Sequence, residues 1–206
     1  MRAALLLAAL GLPGLALAGS WDLIAEGARW WAQSPDPAVP VACATCHWDP
    51  AETRGWAASF PKWKPLPPPD ARVMTLFQAN AEAVIRHYGV RDPRRAAAAI
   101  TAYLAAQGAG DPLSPGISTG QPVFPDRLRA LAASVERGHT LWARRCGACH
   151  RPGDMGRTLS AYPRVVSGRV ESLEEFIERH SAEPRLAWNS QATTDLIAYL
   201  TKECRR

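Results

Sequence analysis

The sequence predicts an all-α protein made of two similar halves with long loops, and three observations predict it. The pattern Cys-x-x-Cys-His occurs twice, with its copies about 103 residues apart. Segments with apolar residues at helical spacing flank each copy. No long alternating run of apolar and polar residues predicts a substantial sheet.

The chain opens on Met1-Arg2, an apolar run of about 16 residues containing Pro13, and Ala16-Leu17-Ala18. One positive residue, a short apolar stretch and an A-x-A site read as a cleavable secretory leader over 1–18. The run is short for a membrane span, although an uncleaved anchor is the alternative. No cysteine follows the cleavage site to carry a lipid.

The first half is expected over 19–107 and the second over 129–206, with a linker at 108–128 rich in Gly, Pro and Ser. Each half repeats one order. An amphipathic segment comes first, Trp21 to Trp31 and Ser134 to Arg145. The Cys-x-x-Cys-His motif and a Pro/Gly-rich loop follow. Next comes an amphipathic helix ending in Arg86-His87 or Arg179-His180. A closing apolar helix contains Ile100-Thr101-Ala102-Tyr103-Leu104 or Leu196-Ile197-Ala198-Tyr199-Leu200.

The motifs are Cys43-Ala44-Thr45-Cys46-His47 and Cys146-Gly147-Ala148-Cys149-His150. Two thiols three positions apart on a helical turn reach the two vinyl groups on one haem edge. The adjacent histidine then turns its imidazole to the iron. This is the attachment signature of c-type haem. Small disulfides, a thioredoxin-like motif or a zinc site are the competing readings. The first suits an exported chain, the second needs a βαβ setting, and the third a closed tetrahedron of ligands. The repeated trailing histidine favours two haem c groups, held by Cys43, Cys46, Cys146 and Cys149. Halves this small bury limited apolar surface, which a haem in each core would supplement. Trp48, Trp56, Trp63, Trp142 and Trp188 are candidates to pack near a porphyrin or to fill ordinary core.

Helix, Cys-x-x-Cys-His, loop, helix and closing helix resemble the class I cytochrome c fold, as two tandem copies over nearly the whole chain. The resemblance implies periplasmic electron transfer between redox protein partners. Many members of that family place a distal Met between the third helix and the closing helix. Neither half has one there. Met74 precedes the helix that ends in His87, and Met155 lies five residues after His150.

Five histidines are present. His47 and His150 are the proximal ligands, and His139 stands where a surface polar residue is common. His87 and His180 occupy one repeat position and are the expected distal ligands. The Arg-His step, with Arg91-Asp92 nearby, also resembles the sphaeroides haem protein family, in which an Arg-Asn step supplies an iron ligand. Dihaem cytochromes that deliver electrons to such proteins are similar in plan. Met/His ligation raises the potential of a haem, so His/His irons should lie lower. Two imidazoles also close the iron to substrate.

Cys204 is left over, as a free thiol or a bridge in a dimer. The formal net charge of +5 falls to about +4 without Arg2. A basic balance can signal nucleic acid, but export argues against that partner. The expected role is a dihaem electron carrier. Two alternatives each need an iron with a displaceable ligand. One is a haem-containing oxidoreductase acting on a small sulfur compound or peroxide. The other is a gas-binding haem protein.

Overall fold

The computed structural model describes residues 14–66, 71–155 and 159–204. Residues 1–13 of the expected leader lie outside this set, and the leader's last residues open helix α1 (Gly14–Ala32). Among the described residues no helix is long and apolar enough to cross a membrane. The chain is mainly helical, as expected.

Two pairs of crossing helices organise it. In the first, α1 packs on α6 (Arg94–Gln107); in the second, α7 (Pro125–Arg145) packs on α9 (Gln191–Glu203). Each crossing turns on a glycine. A Cβ at Gly27 would overlap the Ala99 carbonyl oxygen and stand 2.8 Å from Tyr103 Cβ. A Cβ at Gly138 would overlap the Asp195 carbonyl oxygen and stand 2.8 Å from Tyr199 Cβ. Four residues on, about one helical turn, Trp31 and Trp142 are buried. Each leans on the tyrosine of the opposing helix, with ring centroids 6.0 Å apart for Trp31 and Tyr103 and 6.2 Å for Trp142 and Tyr199.

Ion pairs pin both crossings, with opposite polarity. Arg95 of α6 forks onto Glu26 at 2.7 and 2.8 Å. In the second pair Asp195 is the acid, and Arg137 donates to it at 2.6 and 2.8 Å. Ser134 Oγ donates to the same carboxylate at 2.5 Å. Charge-assisted forks of this kind fix orientation as well as contact.

Between each motif and the next long helix the chain makes a short antiparallel hairpin, which the absence of alternation did not predict. Strands β1 (Lys62–Lys64) and β2 (Arg72–Met74) form one; β3 (Arg164–Val166) and β4 (Arg169–Glu171) form the other. Three residues per strand are too few to show a period. Helix α5 (Leu76–Tyr88) follows the first hairpin and α8 (Leu173–His180) the second. Reciprocal capping boxes start both, Thr75 with Gln78 and Ser172 with Glu175. Helix α5 stops at Gly89, whose φ of 66° is the left-handed conformation that glycine adopts freely.

The segment 108–128 is not a free spacer. It folds back on the first half, where Ser114 N donates to Ala58 O at 2.7 Å and Gly116 N to Ser59 O at 2.9 Å. Its last residues, from Pro125, are already the first turn of α7. The expected boundary therefore falls inside a helix.

The halves share a core. Phe77, Ala81, Ala97 and Ala98 of the first pack against Val170 and Trp188 of the second. Gln78 donates to Trp188 O at 2.9 Å and accepts from Thr194 Oγ1 at 2.6 Å. Glu174, only 4% exposed, is buried at the same junction and takes hydrogen bonds from the Thr75 and Ser172 hydroxyls.

Burial pushes the Glu174 carboxyl up to about 7, against the usual 4.5, because desolvation outweighs those two donors. The sign follows from linkage. Below pH ~4.5 both folded and unfolded chains hold the proton, and the group is neutral to stability. Between there and pH ~7 the unfolded chain releases it first, so stability falls as pH rises and then levels off. The loss is on the order of 3 kcal/mol. Glu174→Gln is expected to remove it. Denaturant titrations of the two proteins at pH 5 and 8 check this: the stability difference between them should widen at pH 8.

Candidate functional site

The first motif forms a short helix, α2 (Cys43–Cys46), laid against α1. It opens a cavity of about 530 Å³, a size typical of cofactor sites. Cys43, Cys46 and His47 line it on one side; Met74, His87 and Tyr88 line it from β2 and α5. The cavity thus brings the expected proximal and distal histidines to one space.

His47 is held by aromatic rings. Trp56 meets it edge-on at 4.8 Å between centroids, and Trp31 lies at 6.1 Å. Its Nδ1 is buried without a hydrogen-bond partner, with Glu52 Oε1 standing 3.8 Å away. A metal-bound imidazole uses one nitrogen for the metal and turns the other to a carboxylate or carbonyl. Here Nδ1 faces Glu52, an arrangement that would leave Nε2 for a metal.

Tyr88 was not singled out in the sequence. Its hydroxyl accepts from Cys43 N at 3.0 Å and donates to Trp30 O at 3.0 Å. It therefore ties the end of α5, which carries His87, to the start of the motif. Burial pushes the Tyr88 hydroxyl well above its ordinary range and also raises the Cys43 thiol, 3.3 Å away. None of the four motif cysteines is paired in a disulfide; Cys46 and Cys149 are exposed and the other two half-buried.

In the second half His150 and His180 stand with ring centroids 5.9 Å apart and planes inclined at 55°. Two imidazoles on opposite sides of one metal, at about 2 Å per bond, would have ring centres about 6 Å apart. Trp142 backs His150 at 6.3 Å, repeating the role of Trp31, and Phe176 stacks on His180 at 5.1 Å. His180 lies eight residues after its cap and His87 twelve after its own. The difference of four is about one turn, so both histidines project from the same helical face. The residues present fit a haem in each half.

One expectation needs correcting. Met74 was set aside because it precedes α5, yet it lines the first cavity and is 0% exposed. Strand β2 folds back along β1 and brings it there, which chain order does not reveal. Trp48 is 77% exposed and packs on no core. Trp188 meets Phe77 edge-on at 5.5 Å, in the junction between the halves. Trp56 and Trp63 do line the cavity. Cys204 is partly buried near Pro152, its Sγ 3.6 Å from that residue's carbonyl oxygen.

No protein-family model and no curated protein sequence matches the chain.

Proposed function

We propose that the chain is an exported dihaem c-type cytochrome, two tandem class I cytochrome c-like domains that carry electrons between redox proteins of the periplasm. One observation carries this reading. In each half the histidine of Cys-x-x-Cys-His and the histidine of the Arg-His step meet at one place, a shared cavity in the first and a 5.9 Å ring pair in the second.

Bound haem supplies a one-electron ferric–ferrous couple at each site. The protein's part is attachment, ligation and exclusion of water. Cys43 and Cys46, with Cys146 and Cys149, provide the thioether sulfurs. His47 and His87 would hold the iron of the first half, and His150 and His180 that of the second. Trp31, Trp56 and Phe60 make the first cavity apolar around its proximal ligand.

Met74 offers a competing distal atom in the first half. The repeat favours His87, because the second half has Glu171, not a thioether, at the strand position of Met74. With a histidine committed on each side, the iron would offer no position to a substrate, which favours a carrier over a catalyst.

Expressed with a c-type maturation system, the exported protein is expected to carry two haems per chain by pyridine haemochrome assay. Cys43→Ala/Cys46→Ala should lower this to one. Fewer than two in the parent protein would overturn the reading.

A further inference from the structure

The two hairpins occupy the same place in the repeat but differ in charge. In the first, Lys62 pairs in register with Met74, and Lys64 with Arg72. In the second, Arg164 pairs with Glu171, and Val166 with Arg169. Arg164 therefore has its carboxylate across the ladder, 3.3 Å away, and Glu171 also takes Arg179 at 2.6 Å. Lys62 has a thioether in that place.

Lys62 and Lys64 line the first cavity, and Arg127 of α7 joins them there. Among the described residues none of the three has a carboxylate within ion-pair distance. The acids of the same cavity are otherwise engaged: Glu52 faces His47 at 3.8 Å, and Glu82 pairs with Arg86 at 3.3 Å. Lys62 Nζ instead donates to Ser59 Oγ at 3.0 Å and Ser118 Oγ at 2.8 Å, and rests 4.6 Å from the centre of the Phe60 ring. Arg127 stacks on Trp63 and Phe124 at 5.0 and 3.9 Å.

Half-buried cations held only by hydroxyls and rings are costly, since burial penalises charge without a counter-charge. Burial and the neighbouring Lys64 bring the Lys62 ammonium down to about 8. Burial and Arg127 lower Lys64 as well. An anion in the cavity would relieve all three.

We propose that Lys62, Lys64 and Arg127 form the carboxylate-binding wall of the first haem site and make its iron the more easily reduced of the two. This rests on the dihaem reading above. A haem brings two propionates, which supply the missing anions. Reduction adds one negative charge to the site, and nearby cations favour it by direct attraction. In the second half two arginines share one carboxylate, so less positive charge is left over. Electrons then run from the second half to the first. One electron leaves the second iron, which passes from ferrous to ferric, and reduces the first from ferric to ferrous, with no bond made or broken.

The test is a potentiometric titration of the full-length dihaem protein, followed optically, in which two one-electron waves are resolved. Lys62→Met/Lys64→Met is expected to lower the reduction equilibrium constant of the higher wave at least tenfold, or 59 mV for one electron. The lower wave should stay within about twofold, and Lys62→Arg/Lys64→Arg should restore the parent value. Glu171→Gln, an independent variant should the first fail to fold, is expected to raise the lower wave alone. The proposal is overturned if the lysine variant leaves the higher wave in place or moves the lower one, or if Glu171→Gln leaves the lower wave unmoved. Haem content is measured on every sample. A parent protein with fewer than two haems would sink the dihaem reading itself, whereas two haems with unmoved waves would sink only the charge argument.

Discussion

Gly138→Ala is expected to destabilise the protein by about 4 kcal/mol or more, the exceptional end of the range for single substitutions. The added Cβ would enter the Asp195 carbonyl group and stand 2.6 Å from its carbon and 2.8 Å from Tyr199 Cβ. Backbone atoms cannot turn aside as a rotamer can, so α7 and α9 must move apart. Separation would strain the Arg137–Asp195 fork and the Ser134 bond. It would also loosen Trp142 from Tyr199 and from His150, which it backs. The melting temperature should fall by roughly 10 °C or more. Gly27→Ala should act likewise through the Ala99 carbonyl and Tyr103. Gly153→Ala is the control, since a Cβ there meets nothing within 4 Å. Thermal unfolding followed by far-UV circular dichroism measures all three. If Gly138→Ala melted with the parent, the close crossing would be wrong.

Those two glycines show where the sequence was readable and where it was not. The motifs, the paired closing helices and the Arg-His steps are local patterns, and each can be seen within about one helical turn. The Gly27–Trp31 and Gly138–Trp142 pairs are equally regular. They are hard to see in the chain because the distance to the motif differs. Trp142 is followed almost at once by Cys146, whereas Trp31 is separated from Cys43 by a loop containing Pro35, Pro37 and Pro40. The match shows at the crossings, where each glycine meets a backbone carbonyl and a tyrosine Cβ of the opposing helix.

Other features depend on contacts between residues far apart in the chain. Tyr88 reaches Cys43, Gln78 reaches Thr194, and the 108–128 segment walls a cavity instead of spacing two domains. Glycine and proline content marks that segment as irregular, and irregular is what it is. Composition carries no information on what such a segment leans against. Met74 is hidden for a related reason. It precedes the helix that ends in His87, but a hairpin turns β2 back beside β1.

On the dihaem reading proposed above, His87→Ala is expected to turn the first haem into a high-spin iron that binds carbon monoxide when reduced, which the parent should not do. Removing one of two axial imidazoles leaves an open position, and axial identity is the main control over what an iron can bind. The cavity gives this variant a second possible outcome, because Met74 lies in the same wall, fully buried. If His87 is the ligand, the parent lacks the weak red band of Met-to-iron coordination, and the variant gains a carbon monoxide spectrum for one haem of two. If Met74 is the ligand, the parent shows that band, and His87→Ala changes neither spin state nor carbon monoxide binding. His180→Ala has no such ambiguity. His150 and His180 stand with ring centroids 5.9 Å apart, so on the same reading its loss should open the second iron alone. Near-infrared magnetic circular dichroism of the oxidised proteins, with carbon monoxide difference spectra of the reduced ones, separates these cases. A Met signature in the parent would replace His87 at the first site while leaving His150 and His180 at the second.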